Sequence, residues 1–135
     1  MQRLFCVIIL FCCSLAFPAY KYKKNNDDNK TEKPLPVTQE YLTTAAKQFR
    51  AGAQFYGAGN VEKALPIFTK TIRKFGKSPV AEESSILAAQ CHLRLENYEE
   101  ARWILRYFPR RYPRSPYLTR CAYLTGILLA AGGDA

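Results

Sequence analysis

From residue 38 to residue 135, apolar side chains recur at the three- and four-residue spacing of α-helices. In the first stretch, Thr38 is a suitable N-cap, and glycines end the pattern near Ala58. The side chains predicted to face inward are Leu42, Ala45, Ala46, Phe49, Ala53 and Tyr56. The pattern therefore predicts a first helix over residues 38–58 and an all-α fold.

Start and stop signals mark two more helices. Asn60 is a second N-cap, and the helix that follows it runs to about Phe75. Its inward positions are Ala64, Ile67, Phe68 and either Thr71 or Ile72. Ser78 as a cap and Pro79 at the first helical position then open a third helix, which ends near Leu95.

A fourth helix begins at a pattern that resembles a capping box. Asn97 is followed three residues later by Glu100, so each side chain could bond to the backbone of the other residue. Proline lacks the backbone N–H that a helix interior needs. We therefore expect Pro109 to bend this helix or to end it near Phe108.

The pair Ser115–Pro116 repeats the start signal of the third helix and predicts a fifth helix through Ala131. From Cys121 to Ala131 that helix is apolar around much of its circumference. Terminal units of a helical array normally carry a polar outer face. We expect this C-terminal helix to be covered by a partner or by a second copy of the chain, unless the sequence is a truncated piece.

The chain also resembles itself when it is shifted by thirty-seven residues. The shift superimposes Asn60 on Asn97, Ala64 on Ala101, Phe49 on Ile86 and Tyr123, and Gly52 on Ala89 and Gly126. Such a period is typical of a stacked array, in which each unit buries its apolar face against its neighbours. We predict two complete helical hairpins plus half of a third.

Small residues recur where the two helices of a hairpin would cross. Gly52, Ala89 and Gly126 keep the first helix of each pair bare, and Ala64 and Ala101 do the same from the second helix. A large apolar residue four positions later, Phe68 or Leu105, would fill the space beside the crossing.

This arrangement, with Pro113 closing a unit, resembles the tetratricopeptide repeat over residues 39–135. The resemblance implies a right-handed solenoid without catalytic activity, whose first helices line a concave surface that holds segments of partner proteins. Carried onto this sequence, that concave face comprises Phe49, Ala53, Tyr56, Glu83, Ile86, Gln90, Arg94, Arg120, Tyr123 and Ile127. The alternative for its apolar members is that they only pack the first helices together.

A narrower resemblance lies in residues 112–117 (Tyr-Pro-Arg-Ser-Pro-Tyr) and 122–126 (Ala-Tyr-Leu-Thr-Gly). These segments resemble the hinge of bacterial envelope proteins of the outer-membrane assembly lipoprotein and Tol-Pal coordinator type. The resemblance implies a non-enzymatic scaffold for protein–protein interaction in the cell envelope, acting in outer-membrane protein assembly. Its partners would be other envelope proteins or peptide segments.

The first nineteen residues have the layout of a secretory signal peptide, with Arg3 before an apolar run and small residues after it. Residues 20–37 are polar and charged and predict a flexible linker to the repeat domain at 38–135. We expect an exported, periplasmic protein. A retained membrane anchor and attachment to the outer membrane through an acylated Cys12 or Cys13 remain open alternatives.

The formal net charge is +9, and it is still +8 when Arg3 is removed with the signal peptide. Cations cluster twice at predicted helix ends, which would form a basic edge of Arg73, Lys74, Lys77, Arg110, Arg111 and Arg114. Complementarity to helix dipoles is one explanation. The other is an acidic partner or anionic lipid, which makes a peripheral membrane-binding module the alternative function. Export argues against nucleic acid as a partner.

Candidate chemistry outside these surfaces is sparse. Cys91 and Cys121 are thirty residues apart rather than thirty-seven, so we predict two free, mostly buried thiols. His92 falls on Phe55 and Leu129 in the repeat and is interpreted as a packed core side chain. The sequence shows no metal-ligand spacing, cofactor loop or catalytic constellation, so we expect no metal, no cofactor and no enzymatic activity.

Overall fold

The computed structural model describes residues 37–132, and it confirms an all-α fold for them, with five helices and no strand. The helices are α1 (Gln39–Gly57), α2 (Val61–Lys74), α3 (Pro79–Arg94), α4 (Tyr98–Arg111) and α5 (Leu118–Gly132). The predicted signal peptide, nearly all of the predicted linker and the last three residues lie outside the described range.

Helices that follow one another in the chain pack against each other. The first helices of successive hairpins also touch, since α1 contacts α3 and α3 contacts α5. Over residues 37–132, by contrast, no Cα atom of α2 comes within 8 Å of one in α4. The helices therefore form two layers, α1, α3 and α5 in one and α2 and α4 in the other, which is consistent with a helical repeat.

Two of the predicted N-caps form as expected. The Thr38 hydroxyl accepts a hydrogen bond from the backbone N–H of Tyr41 at 3.2 Å, and the Asn60 amide oxygen accepts one from Lys63 at 3.2 Å. Each bond pairs an N–H group that the first turn of a helix would otherwise leave without a partner. The starts of α1 and α2 are therefore fixed by these side chains.

The other two predicted N-cap residues stand at the starts of α3 and α4 as expected, but their side chains make no capping bond. Ser78 precedes α3 but makes no capping bond, because its buried hydroxyl donates backwards to the Phe75 carbonyl at 2.6 Å. Asn97 precedes α4 and also makes no capping bond, so the predicted capping box does not form. Its backbone angles, φ −83° and ψ 69°, nearly match those of Asn60, so the difference lies in the side chain alone.

Pro109 does not end α4, which continues to Arg111. Proline removes the hydrogen bond to the carbonyl four residues earlier, here that of Leu105. In this structure the Cys121 thiol, on α5, donates to the Leu105 oxygen at 3.4 Å. The neighbouring helix thus supplies the donor that proline lacks. Beyond Pro109 the helical pattern continues, since the N–H of Tyr112 donates to the Phe108 carbonyl at 2.9 Å.

The predicted start of α5 is early by two residues. The Ser115 hydroxyl accepts a hydrogen bond from the N–H of Tyr117 at 3.2 Å and closes a turn there, so that regular helix begins only at Leu118. The same Ser-Pro pair therefore opens a helix at Pro79 but a turn at Pro116.

The core runs along the seam between the two helix layers. Ala64, Ala89 and Ala101 are fully buried at the helix crossings, as the small-residue pattern predicts. At Gly52 an added Cβ would lie 2.8 Å from the Phe68 ring, which shows how closely α1 approaches α2. An added Cβ at Gly126 would meet no atom within 4 Å, because no described helix covers that side of α5.

The turns inside the two hairpins share an uncommon backbone conformation. Gly59 has φ +79° in the first hairpin, and Glu96 has φ +59° in the second. These positions are thirty-seven residues apart, so the repeat in the sequence is matched by a repeat in backbone geometry. Left-handed angles suit glycine and are strained for glutamate.

Candidate functional site

Polar side chains from three helices meet on the layer formed by the first helices. Gln90 of α3 accepts two hydrogen bonds at Oε1, one from the Tyr56 hydroxyl of α1 at 3.1 Å and one from Arg120 Nη2 of α5 at 3.0 Å. The guanidinium of Arg94 lies 4.7 Å from the centre of the Tyr56 ring. We call Tyr56, Gln90, Arg94 and Arg120 the Gln90 cluster.

The repeat explains why these residues can meet. Each of the three helices is the first member of its hairpin, and neighbouring first helices touch, so residues on their shared side come together. Tyr56 and Gln90 are half-buried and are held by their mutual hydrogen bond. Arg94 and Arg120 are exposed, so their guanidinium groups place positive charge at the surface beside the hydrogen-bonded pair of Tyr56 and Gln90.

An apolar surface adjoins the cluster on α5. Arg120, Tyr123 and Ile127 follow one another at spacings of three and four residues, which places them on one face of the helix. Tyr123 is 67% exposed and Ile127 is 38% exposed. The predicted concave face therefore offers both cationic and apolar contacts at its α5 end.

Other members of the predicted face are less accessible. Ile86 is 0% exposed and belongs to the core, so the structure removes it from the surface that could touch a partner. Phe49 is half-buried against Phe68, with ring centres 6.0 Å apart, and Ala53 is half-buried. Packing in the core accounts for Phe49 and Ile86, whereas it does not account for Tyr123.

Glu83, also predicted on this face, is half-buried and lies close to Tyr117, a residue that the sequence analysis did not single out. Burial and a side-chain hydrogen bond with Glu83, together with the negative charge there, raise the pKa of Tyr117. Tyr117 directly precedes α5, so the turn before α5 lies close to Glu83 of α3. The sequence feature that could have drawn attention to Tyr117 is the Ser115–Pro116 pair directly before it, which forms the turn in which Tyr117 lies.

All six residues of the basic edge are exposed. Arg111 joins the two predicted clusters, because its Nη2 lies only 3.1 Å from where a Cβ on Gly76 would be. Its Nε also donates to the Tyr112 hydroxyl at 3.0 Å. Near Gly76, the hydroxyl of Tyr41 accepts a weak hydrogen bond from the N–H of Lys77 at 3.4 Å. The ends of α2 and α4 therefore form one cationic surface.

An exposed aromatic pair on α4 was not among the predicted sites. Trp103 and Tyr107 are 48% and 42% exposed, and their ring centres are 5.1 Å apart. Sequence reasoning missed them, although aromatic residues four positions apart between arginines are a detectable signal.

The two cysteines of the described range are free and buried, as predicted. Burial raises the pKa of the Cys91 thiol to about 11, with Arg94 acting in the opposite direction. Burial also raises the pKa of Cys121. These thiols are therefore protonated and sheltered at neutral pH.

His92 is half-buried, and its Nδ1 is buried without a hydrogen-bond partner. Burial lowers its pKa, and the nearby carboxylate of Glu100 opposes that effect. Over residues 37–132 there is no group of three His, Cys, Asp or Glu side chains that could hold a metal ion. In the same range, no helix is both long enough and apolar enough to span a membrane.

No protein-family model, no curated protein and no solved structure matches this chain.

Proposed function

We propose that residues 38–135 form a right-handed solenoid of tetratricopeptide-like hairpins, two complete and one half, that binds segments of other proteins and catalyses no reaction. The observation that carries this proposal is the Gln90 cluster, in which three successive first helices share one hydrogen-bonded centre. A surface fixed in this way loses little side-chain freedom when it binds, which favours affinity.

The chemistry of this surface indicates the kind of segment it would hold. Arg94 and Arg120 can each form paired hydrogen bonds to a carboxylate. Tyr123 and Ile127 offer apolar contact a few residues along the same layer. A partner segment with an acidic side chain followed by apolar side chains would satisfy both parts of the surface.

The proposed setting is the cell envelope, and it rests on the sequence alone. The signal-peptide pattern of residues 1–19 supports export to the periplasm. The resemblance of residues 112–126 to a hinge of envelope scaffolds supports a role in outer-membrane protein assembly. Attachment to that membrane through an acylated Cys12 or Cys13 is an open alternative to a free periplasmic protein.

Site-specific photo-crosslinking in cells tests the proposal. A photoreactive residue in place of Tyr123 should capture a defined partner protein, because that side chain is exposed beside the Gln90 cluster. Lys47 is the matched control, since it is exposed on α1 and lies opposite Tyr56 on the helical wheel. Equal capture from both positions would contradict the proposal, and capture of a second copy of the chain would replace it with self-association.

A further inference from the structure

The outer face of α4 carries aromatic and cationic side chains in alternation. Trp103, Arg106, Tyr107 and Arg110 follow one another at spacings of three, one and three residues, which places them on one stripe of the helix. All four are exposed. The side chains that α4 buries in the core are Ala101, Leu105 and Phe108. The stripe is therefore not needed to pack the hairpin.

The aromatic rings of the stripe contact each other and an arginine. Trp103 packs against Tyr107 with ring centres 5.1 Å apart, and the guanidinium of Arg110 lies 5.8 Å from the centre of the Tyr107 ring. Trp and Tyr join an apolar ring to a polar group, and this combination suits the boundary between lipid headgroups and acyl chains.

The surroundings of the stripe are positively charged, and anionic lipid headgroups attract positive charge. The basic edge begins where α4 ends, so Arg110, Arg111 and Arg114 continue the positive charge of the stripe. Three carboxylates lie toward the same end of the helices, Glu40 and Glu82 in the first turns of α1 and α3 and Glu83 one residue further along α3. The cations of the basic edge alone are twice as many, so this end is positive.

We propose that the α4 stripe and the adjoining basic edge dock on an anionic lipid bilayer, with Trp103 and Tyr107 entering the headgroup region and the arginines pairing with lipid phosphates. The counterpart of the stripe on α2, thirty-seven residues earlier, is Pro66, Thr69, Lys70 and Arg73. It contains no aromatic residue, so insertion belongs to the second hairpin. This surface differs from the Gln90 cluster, and either proposal can fail without the other.

The chain contains a single tryptophan, so the intrinsic tryptophan emission of the full-length protein reports on α4 alone. Titration with vesicles of phosphatidylcholine and phosphatidylglycerol in equal parts should shift this emission to shorter wavelength and protect it from acrylamide. Vesicles of phosphatidylcholine alone should do neither, even if another part of the chain binds them. Soluble glycerophosphate should also leave the emission unchanged, because it carries the charge without an acyl layer.

Variants separate the two parts of the surface. Changing Arg106, Arg110 and Arg114 together to Gln should lower the vesicle partition coefficient about 100-fold. Tyr107→Ser should lower it about tenfold, since one aromatic ring no longer leaves water. The charge-matched control changes Lys47, Arg50 and Lys63 to Gln and should stay within about threefold of the unaltered chain, because screening limits electrostatic attraction to roughly 8 Å.

Several results would overturn the proposal. The first is a tryptophan emission that does not shift at saturating anionic vesicles, and the second is an equal shift with neutral vesicles. The third is an equal loss of vesicle binding in the control variant and in the α4 variants. A shift of the same size with soluble polyglutamate would also overturn it and would identify an acidic protein as the partner. Far-ultraviolet circular dichroism must show unchanged helix content in every variant, so that a loss of binding reports on the surface.

Discussion

At the scale of single residues, burial follows a residue's place in the array more than its type. Phe49, Ile86 and Tyr123 occupy equivalent positions, yet they are half-buried, fully buried and 67% exposed. Ile86 lies on α3, which has α1 on one side and α5 on the other, whereas no described helix follows α5. The sequence could predict that these positions share a face, but not which of them would be covered, because neighbouring hairpins decide that.

Gly52 and Gly126, which occupy equivalent positions of the repeat, give a matched test of this effect. Gly52→Ala should destabilise the domain by about 1–3 kcal/mol, because the new Cβ would lie 2.8 Å from the Phe68 ring. Gly126→Ala should stabilise it by up to about 1 kcal/mol, because the space around it is open and alanine favours helix. Urea unfolding followed by circular dichroism measures both. Equal effects of the two changes would show that the crossings are not packed as described.

His92 gives the domain a pH dependence whose sign follows from its burial. Burial lowers its pKa in the folded state from 6.5, so the unfolded chain binds the proton more readily. Neutral His92 therefore contributes to the free energy of unfolding above pH 6.5, which is the pKa of histidine in the unfolded chain. This contribution is lost as the pH falls below that value. The free energy of unfolding should therefore decrease as the pH falls below about 6.5, and His92→Leu should reduce this decrease. An identical pH profile in His92→Leu would contradict the assignment.

At the scale of the helices, start and stop signals located all five elements, with boundaries within three residues of the structure. The departures from the local signals have more than one physical cause. Pro109 was predicted to bend α4 or to end it near Phe108, but α4 continues to Arg111, and the Cys121 thiol of α5 bonds to the carbonyl that the proline leaves free. Ser78 stands at the start of α3, but its hydroxyl bonds to the Phe75 carbonyl, three residues earlier, instead of capping the helix. The Cys121 thiol lies on another helix and does not follow from the local pattern, whereas the competing acceptor of Ser78 is a local group.

A double-mutant cycle tests the link between Pro109 and Cys121. In the unaltered chain, Cys121→Ala removes the side-chain donor to the Leu105 carbonyl and should destabilise the domain. In the Pro109→Ala background the backbone N–H of residue 109 returns to that carbonyl, so the same cysteine change should cost less, by at least about 0.5 kcal/mol. Additive effects in urea unfolding would mean that the thiol bond contributes nothing to α4.

At the scale of the whole molecule, two layers of helices create two chemically different surfaces. The layer of α1, α3 and α5 carries the Gln90 cluster, and the outer face and C-terminal end of α4 carry aromatic and basic side chains. The repeat predicted the first surface, because equivalent residues of a solenoid fall on one side. It predicted the basic part of the second surface but not the aromatic part, because the equivalents of Trp103 and Tyr107 in α2 are Pro66 and Lys70, which are not aromatic.

The most direct test of the proposed function is calorimetric titration of the partner segment captured from position 123 into the full-length chain. One variant combines Gln90→Leu, Arg94→Gln and Arg120→Gln. It should bind the segment about ten- to a hundredfold more weakly, because charged hydrogen bonds to the segment are lost. The control that changes Lys47, Arg50 and Lys63 to Gln should bind as the unaltered chain does. Equal affinities for the two variants would contradict the claim that the first helices of this array form its docking surface.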